Sequence, residues 1–301
     1  MRPRRCSRLG QAALLLLPAT VLAAACGSPS GGSGGRVPVV AAENFYGDMV
    51  RQLGGSHVTV TSILSDPNAD PHLFEPGTAA AAEVADARLV IDSGLGYDAF
   101  MDRLLSSAPN PDRVVVTIAG ALRISGPQAN VHIWYDIPRL PAVGKAIADG
   151  LSAADPAHRS DYASGLSAFD HSLKPLDDAV AALRAKHGGS PVAYTEPVPG
   201  YLLEAAGLVV RTPEAFARAI EEGNEPTPQA VSEMEALLTG RQVRVLLYNG
   251  QATSPITQRM QTLAAQNGIP VVPVTETLPV GKTFQSWQLG QIRAVAAALG
   301  G

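Results

Sequence analysis

Between Pro156 and His187, the residues Tyr162, Leu166, Phe169, Leu173, Leu176, Val180 and Leu183 recur at alternating steps of four and three. Only an α-helix gathers such positions onto one face, so the spacing predicts a single amphipathic helix of about 30 residues. At 1.5 Å per residue it would span roughly 45 Å. Pro175 should bend it. A coiled-coil dimer could use the same stripe, but about three heptads is the lower limit for that architecture. The sequence on either side favours a strut packed across two lobes.

Before the strut, apolar β-branched runs alternate with helical patterns. Val37–Ala42, Val58–Leu64, Leu89–Ile91 and Arg113–Thr117 read as strands. Helical patterns lie at Phe45–Leu53, Thr78–Ala87, Tyr97–Leu105 and Pro141–Leu151. After Gly188-Gly189 a second series begins, with strands at Pro191–Tyr194, Leu208–Arg211, Val243–Tyr248 and Pro270–Val274. Its helices are expected near Gly200–Ala206, Pro228–Leu238, Ser254–Asn267 and Thr283–Leu299. Strand–helix alternation of this kind argues for βαβ units and mostly parallel sheets. The expected fold is therefore two α/β lobes, 37–155 and 188–301, joined by one long rigid helix over 156–187. At 301 residues the chain has room for both.

The first residues have a different character. Arg2, Arg4, Arg5 and Arg8 precede an apolar run rich in Ala and Leu, and Ala23-Ala24-Ala25 stand before Cys26. This is a secretory signal, too short to span a bilayer comfortably. Leu22-Ala23-Ala24-Ala25-Cys26 resembles a bacterial lipobox, with Ala23 where leucine is usual. That resemblance implies cleavage after residue 25 and acylation of Cys26, and several acyl chains anchor stably where one does not. Residues 26–36, nearly all Gly and Ser, form a flexible tether by composition. Cys6 leaves with the signal, so the mature chain has no cysteine pair and no thiolate for a metal site. A net charge of −4 gives no basic surface for nucleic acid.

Four side chains carry metal-binding chemistry at suggestive places. His72 sits in Ser65–Pro76, a stretch whose three prolines exclude helix and which follows a predicted strand. His132 lies in the polar–aromatic turn Asn130–Asp136. Glu196 and Glu276 each stand just past a predicted strand of the second lobe. Open α/β sheets bind ligands at the carboxyl ends of their strands, so two candidates from each lobe would face a common cleft. Two imidazoles and two carboxylates suit Zn²⁺ or Mn²⁺. Each residue also has a plain structural alternative. His132 beside Trp134 can be a hydrogen-bonded core ring, and Glu196 and Glu276 can cap following segments. Glu75 and Asp136 are placed to orient His72 and His132 respectively. Asn249 and Gln251 are placed to line the cleft. The stretch Glu221–Pro226 reads as a solvated loop, and His57, His158, His171 and His187 as surface residues.

Asp70-Pro71-His72-x-x-Glu75-Pro76, Val131-His132-Ile133-Trp134-Tyr135-Asp136, and Glu196 four residues before Gly200-Tyr201 resemble the solute-binding lipoproteins of zinc and manganese ABC transporters. The likeness covers almost all of Val37–Leu299. It implies a two-lobed receptor that carries one divalent metal ion as cargo and delivers it to a membrane permease. The implied ligands are His72, His132, Glu196 and Glu276. It also implies a monomer, lipid-anchored to the outer face of the bacterial cytoplasmic membrane, and not an enzyme. Many zinc members have histidine where this chain has Glu196, and most members have aspartate at Glu276. The His-rich loop often found before the second motif is missing. Extra carboxylate leans towards manganese, whereas the Irving–Williams order makes zinc the tighter ion at mixed N/O sites, so zinc is slightly favoured.

Two other classes use the same residues differently. A secreted metallohydrolase would keep one open metal position and recruit Glu196 or Glu276 as general base, but no H-E-x-x-H helix or G-x-S-x-G elbow accompanies them. A surface adhesin would hold the metal incidentally. A receptor must also release its cargo, so carboxylate protonation or lobe movement is expected to weaken the site.

Overall fold

The computed structural model describes residues 35–67, 69 and 71–300, with the backbone alone at His72. The expected leader, Cys26 and the tether up to Gly34 lie outside the described residues.

In the first lobe, β1 (Val37–Glu43) leads into α1 (Asn44–Gly54), followed by β2 (Val58–Leu64), α2 (Ala79–Asp86), β3 (Leu89–Asp92), α3 (Ala99–Ser107), β4 (Val114–Thr117), the one-turn α4 (Ile118–Ala121) and α5 (Leu140–Ala154). The strut is α6 (Arg159–His187). The second lobe contains β5 (Pro191–Tyr194), α7 (Gly200–Ala205), β6 (Val209–Val210), α8 (Glu214–Glu221), α9 (Pro228–Thr239), β7 (Leu246–Asn249), α10 (Pro255–Gln266), β8 (Val271–Val274) and α11 (Phe284–Ala298). The sheet orders are β2-β1-β3-β4 and β6-β5-β7-β8, and every pairing is parallel. The lobes thus share one topology with no visible sequence repeat. In each sheet the order reverses beside its first strand, which opens a crevice at the carboxyl ends of β1 and β3, and of β5 and β7.

The strut is one helix of 29 residues that runs through Pro175 without a break. Its buried residues are Tyr162, Phe169, Leu173, Leu176, Val180, Leu183 and His187, the predicted stripe with Leu166 only half-buried and with one further step of four at its end. His187, expected at the surface, is therefore buried. The stripe faces α1, α5 and α11, so it is consumed within the chain. One apolar core follows it from Val39, Phe45 and Met49 in the first lobe to Val272, Trp287 and Val295 in the second. Close approach is built in at Gly165, where an added Cβ would lie 2.3 Å from the Leu53 carbonyl oxygen at the end of α1.

Two local expectations need correction. β6 is two residues long, shorter than the apolar run Leu208–Arg211 suggests. Glu221, read as the start of a solvated loop, instead ends α8 (Glu214–Glu221), whose Phe216, Ala217 and Ile220 are buried. His57 and His158, partly exposed, also stack on one another, with ring centroids 4.0 Å apart. Among the described residues, no helix is long and apolar enough to cross a membrane.

Candidate metal centre

The second lobe supplies two buried carboxylates. Glu196 follows β5 and Glu276 follows β8, with relative exposures of 1% and 0%. Burying carboxylates costs several kcal/mol per ion unless cations or hydrogen bonds compensate. Part of that compensation comes from Asn249 at the end of β7, whose Nδ2 donates to Glu196 Oε2 at 2.8 Å and to Glu276 Oε1 at 2.7 Å. One neutral amide thus spans two carboxylates in the crevice between β5 and β7. Tyr97, from the first lobe, donates its hydroxyl to Glu276 Oε2 at 3.1 Å.

The imidazole arrives from the other lobe. Ile133–Tyr135 form one tight turn, all buried, because Trp134 stacks on Phe45 at 4.5 Å and the Tyr135 hydroxyl donates to Thr275 O at 2.7 Å. This pins His132 beside Glu276, with Nε2 3.2 Å from Oε2. On the other edge of the ring, Nδ1 lies 2.7 Å from Asn130 Oδ1, which also accepts from the His132 backbone N–H at 3.0 Å. A side-chain amide oxygen only accepts, so the network assigns the hydrogen to Nδ1 and leaves Nε2 facing the carboxylate. A lone pair and a carboxylate oxygen at that separation repel one another unless a cation lies between them. Two ligands of a tetrahedral ion with bonds of about 2.0–2.1 Å stand roughly 3.3 Å apart, so the spacing also fits a metal.

Among the described residues, no three His, Cys, Asp or Glu side chains converge closely enough to hold a metal ion. The reason on the carboxylate side is visible: Glu196 joins the pair through Asn249. His72 lies in the short turn Pro71–Leu73, and its side chain is outside the described residues. The structure therefore brings His132 and Glu276 together, links Glu196 to them, and leaves His72 as a sequence-based expectation.

Of the expected orienting residues, Asp136 is corrected, since it pairs with Arg139 at 3.2 Å. Glu75 is exposed and pairs with Arg103 at 3.1 Å, and its relation to the His72 side chain lies outside the described residues. The group holding the His132 ring is Asn130, whose placement two residues ahead of His132 is an Asx-turn signal. Its Nδ2 donates across the lobes to Pro197 O at 2.8 Å, next to Glu196. Glu221, at the end of α8, places Oε1 3.8 Å from His132 Nδ1 and is not merely solvated. A cleft of about 1550 Å³, lined by Tyr97, Asn130, Tyr194, Tyr201, Arg218 and Glu221 among others, opens beside the buried centre.

A separate acidic pocket sits at the ends of β1 and β3. Burial, with Asp98 and Asp92 nearby, pushes the Glu43 carboxyl well above the usual range. Burial pushes Asp92 up to about 7, and the Thr117 hydroxyl opposes this only partly. A carboxyl that holds its proton more tightly folded than unfolded makes stability fall as pH rises between the two pKa values, here from about 4 to about 7. Asp92→Asn should remove that slope. The expected result is a higher Tm than wild type at pH 7.5 and little difference at pH 4, checked by thermal melts across that range.

Two parallel-sheet lobes, a rigid connecting helix and an imidazole–carboxylate centre where the lobes meet define a solute-binding protein for a small cationic ligand. Residues 39–298 match the family described as zinc-uptake complex component A, periplasmic, and the chain belongs to that family. It is 24% identical over 282 residues to the manganese ABC transporter substrate-binding lipoprotein PsaA of Streptococcus mitis, covering 88% of each chain. Its fold is similar to the periplasmic zinc binding protein TroA of Treponema pallidum, with TM-score 0.74, 19% identity, and coverage of 88% of this chain and 99% of that one. It is also similar to FpvC of Pseudomonas aeruginosa in complex with Mn²⁺, with TM-score 0.75, 20% identity, and coverage of 88% and 98%. The family and the two-lobed fold expected from the three motifs both hold.

Proposed function

We propose that this chain is an extracytoplasmic receptor that captures one divalent transition metal ion as cargo and delivers it to an ABC transporter permease. Its ligands are His72, His132, Glu196 and Glu276, and zinc is slightly favoured over manganese. The observation that carries this reading is His132 Nε2 held 3.2 Å from Glu276 Oε2, with one ligand from each side of the lobe interface. Family membership and the metal-transport names of the relatives support it. Glu196 is linked to Glu276 through Asn249, which keeps a third candidate ligand beside the pair.

The centre suits carriage better than catalysis. A catalytic zinc usually keeps one position open for water, whereas four proposed ligands would fill a tetrahedral shell here, and His132, Glu196 and Glu276 are buried. The chain is accordingly a binding protein and not an enzyme, monomeric, with no nucleic-acid partner. We divide it into a signal over 1–25, a lipid anchor at Cys26 with a tether to residue 36, lobes over 37–155 and 188–301, and the strut over 156–187. The anchor places it on the outer face of the cytoplasmic membrane.

The test is metal content and competition titration of the chain from Val37 onward, with His72→Ala and Glu196→Ala beside wild type. One equivalent of zinc, preferred over manganese and lost in both variants, is the expected result. Absence of stoichiometric metal in wild type, or loss only with His72→Ala, would overturn the shared site.

A further inference from the structure

Gln251 stands two residues past the end of β7, partly buried between the lobes. Its Nε2 donates to Pro67 O at 3.0 Å, Ala69 O at 3.2 Å and Thr277 Oγ1 at 2.7 Å. Its Oε1 accepts from the backbone N–H groups of Glu276 and Thr277. The orientation of the amide is unambiguous, because carbonyls on one side require the NH₂ and backbone N–H groups on the other require the oxygen. One side chain therefore joins the proline-rich arm that follows β2 in the first lobe to the turn that carries Glu276 in the second.

We propose that Gln251 is a positioning residue that latches this arm onto the Glu276 turn and so sets how fast the metal leaves. The inference rests on the metal-site reading above, in which the arm contributes His72 and the turn contributes Glu276. Gln251 reaches the two segments through backbone atoms and the Thr277 hydroxyl, and none of its contacts uses a side chain of the proposed ligand set. A bound ion reaching ligands on both segments would reinforce the latch, and the latch in turn holds those segments together around the ion. Every group in it is neutral, so the arm is held by donor–acceptor geometry and not by charge, and the latch is insensitive to moderate salt. Without it the arm detaches from the second lobe, and a ligand on the arm is withdrawn while the others remain. The latch contributes no ligand atom, so its loss should affect entry of the metal less than its departure.

The experiment uses the full chain, with zinc association and dissociation rates measured by stopped flow against a fluorescent chelator and with hydrogen exchange of the amides around the arm. Gln251→Ala should raise the dissociation rate by about 10–100-fold, the usual effect of removing a group that supports metal ligands, and change the association rate less than about threefold. Gln251→Glu separates the two halves of the latch. It keeps an acceptor for the Glu276 and Thr277 N–H groups but has no donor for Pro67 and Ala69, and it should match Gln251→Ala in dissociation rate. In both variants the arm should exchange faster than in wild type, with or without zinc. Unchanged dissociation in both variants, or unchanged arm exchange while zinc still binds at one equivalent, would overturn the latch alone. A wild-type chain that takes up no zinc would overturn the metal-site reading and the role in release with it, whatever the arm does.

Discussion

His132→Ala is expected to weaken zinc binding by more than about 100-fold, a loss exceeding what removal of a merely supporting group produces. His132 is fully buried, its tautomer is fixed by Asn130, and its Nε2 faces Glu276 at 3.2 Å. Alanine removes the nitrogen and leaves the Glu276 carboxylate without the group opposite it. The measurement is a competition titration with a chelator of known affinity, accompanied by a thermal melt to show that the variant is folded. His132→Ala that is folded and binds zinc within a factor of three of wild type would remove His132 from the ligand set. Asn130→Ala should give a smaller loss, about 10-fold or more, because the ring stays in place and only its orientation is released.

Gly165→Val should be the most damaging single change to the fold away from the site. The strut lies so close to the end of α1 that a Cβ at this position would stand 2.3 Å from the Leu53 carbonyl oxygen and 3.0 Å from its carbon. Backbone cannot rotate away as a flexible side chain can, so the two helices must separate. Overpacking costs typically 1–3 kcal/mol and occasionally more, and valine adds two further methyl groups at the closest point. A loss of about 3 kcal/mol corresponds to a fall in Tm of roughly 6–12 °C for a folded unit of this size. Ala163→Val, on the exposed face of the same helix, should cost less than about 1 kcal/mol. Equal melts for the two variants would show that the helices do not depend on this contact.

Periodicity made the long-range architecture legible. The strut could be read from seven apolar positions because tertiary packing requires a helix to repeat the same face. The steps also extend to His187, four past Leu183, whose polar ring gives no apolar signal although it is buried. Shorter elements carried less signal. α8 has only Phe216, Ala217 and Ile220 on its buried face, and the Gly223 and Pro226 that follow suggested a loop, so Glu221 was given no place near His132. The strand-end positions of Glu196 and Glu276 followed from the αβ alternation. Asn249 and Gln251 were legible as cleft-lining positions too, but their contacts were not. Asn249 between two carboxylates, Asn130 against Pro197 and Gln251 against Ala69 join residues far apart in sequence, and no local pattern encodes them.

All the groups gathered at the centre belong to connectors or to the last residue of a strand or helix. Asn249 ends β7, Glu221 ends α8, and Asn130, His132, Glu196, Gln251 and Glu276 lie between elements. Apart from Asn249 at the end of β7, the sheets and the strut contribute support without contributing chemistry. Descendants of such a chain can therefore exchange donor atoms one at a time, carboxylate for imidazole or the reverse, without renegotiating the packing that keeps them folded. Diversification of cargo is separated in this architecture from the risk of losing the scaffold.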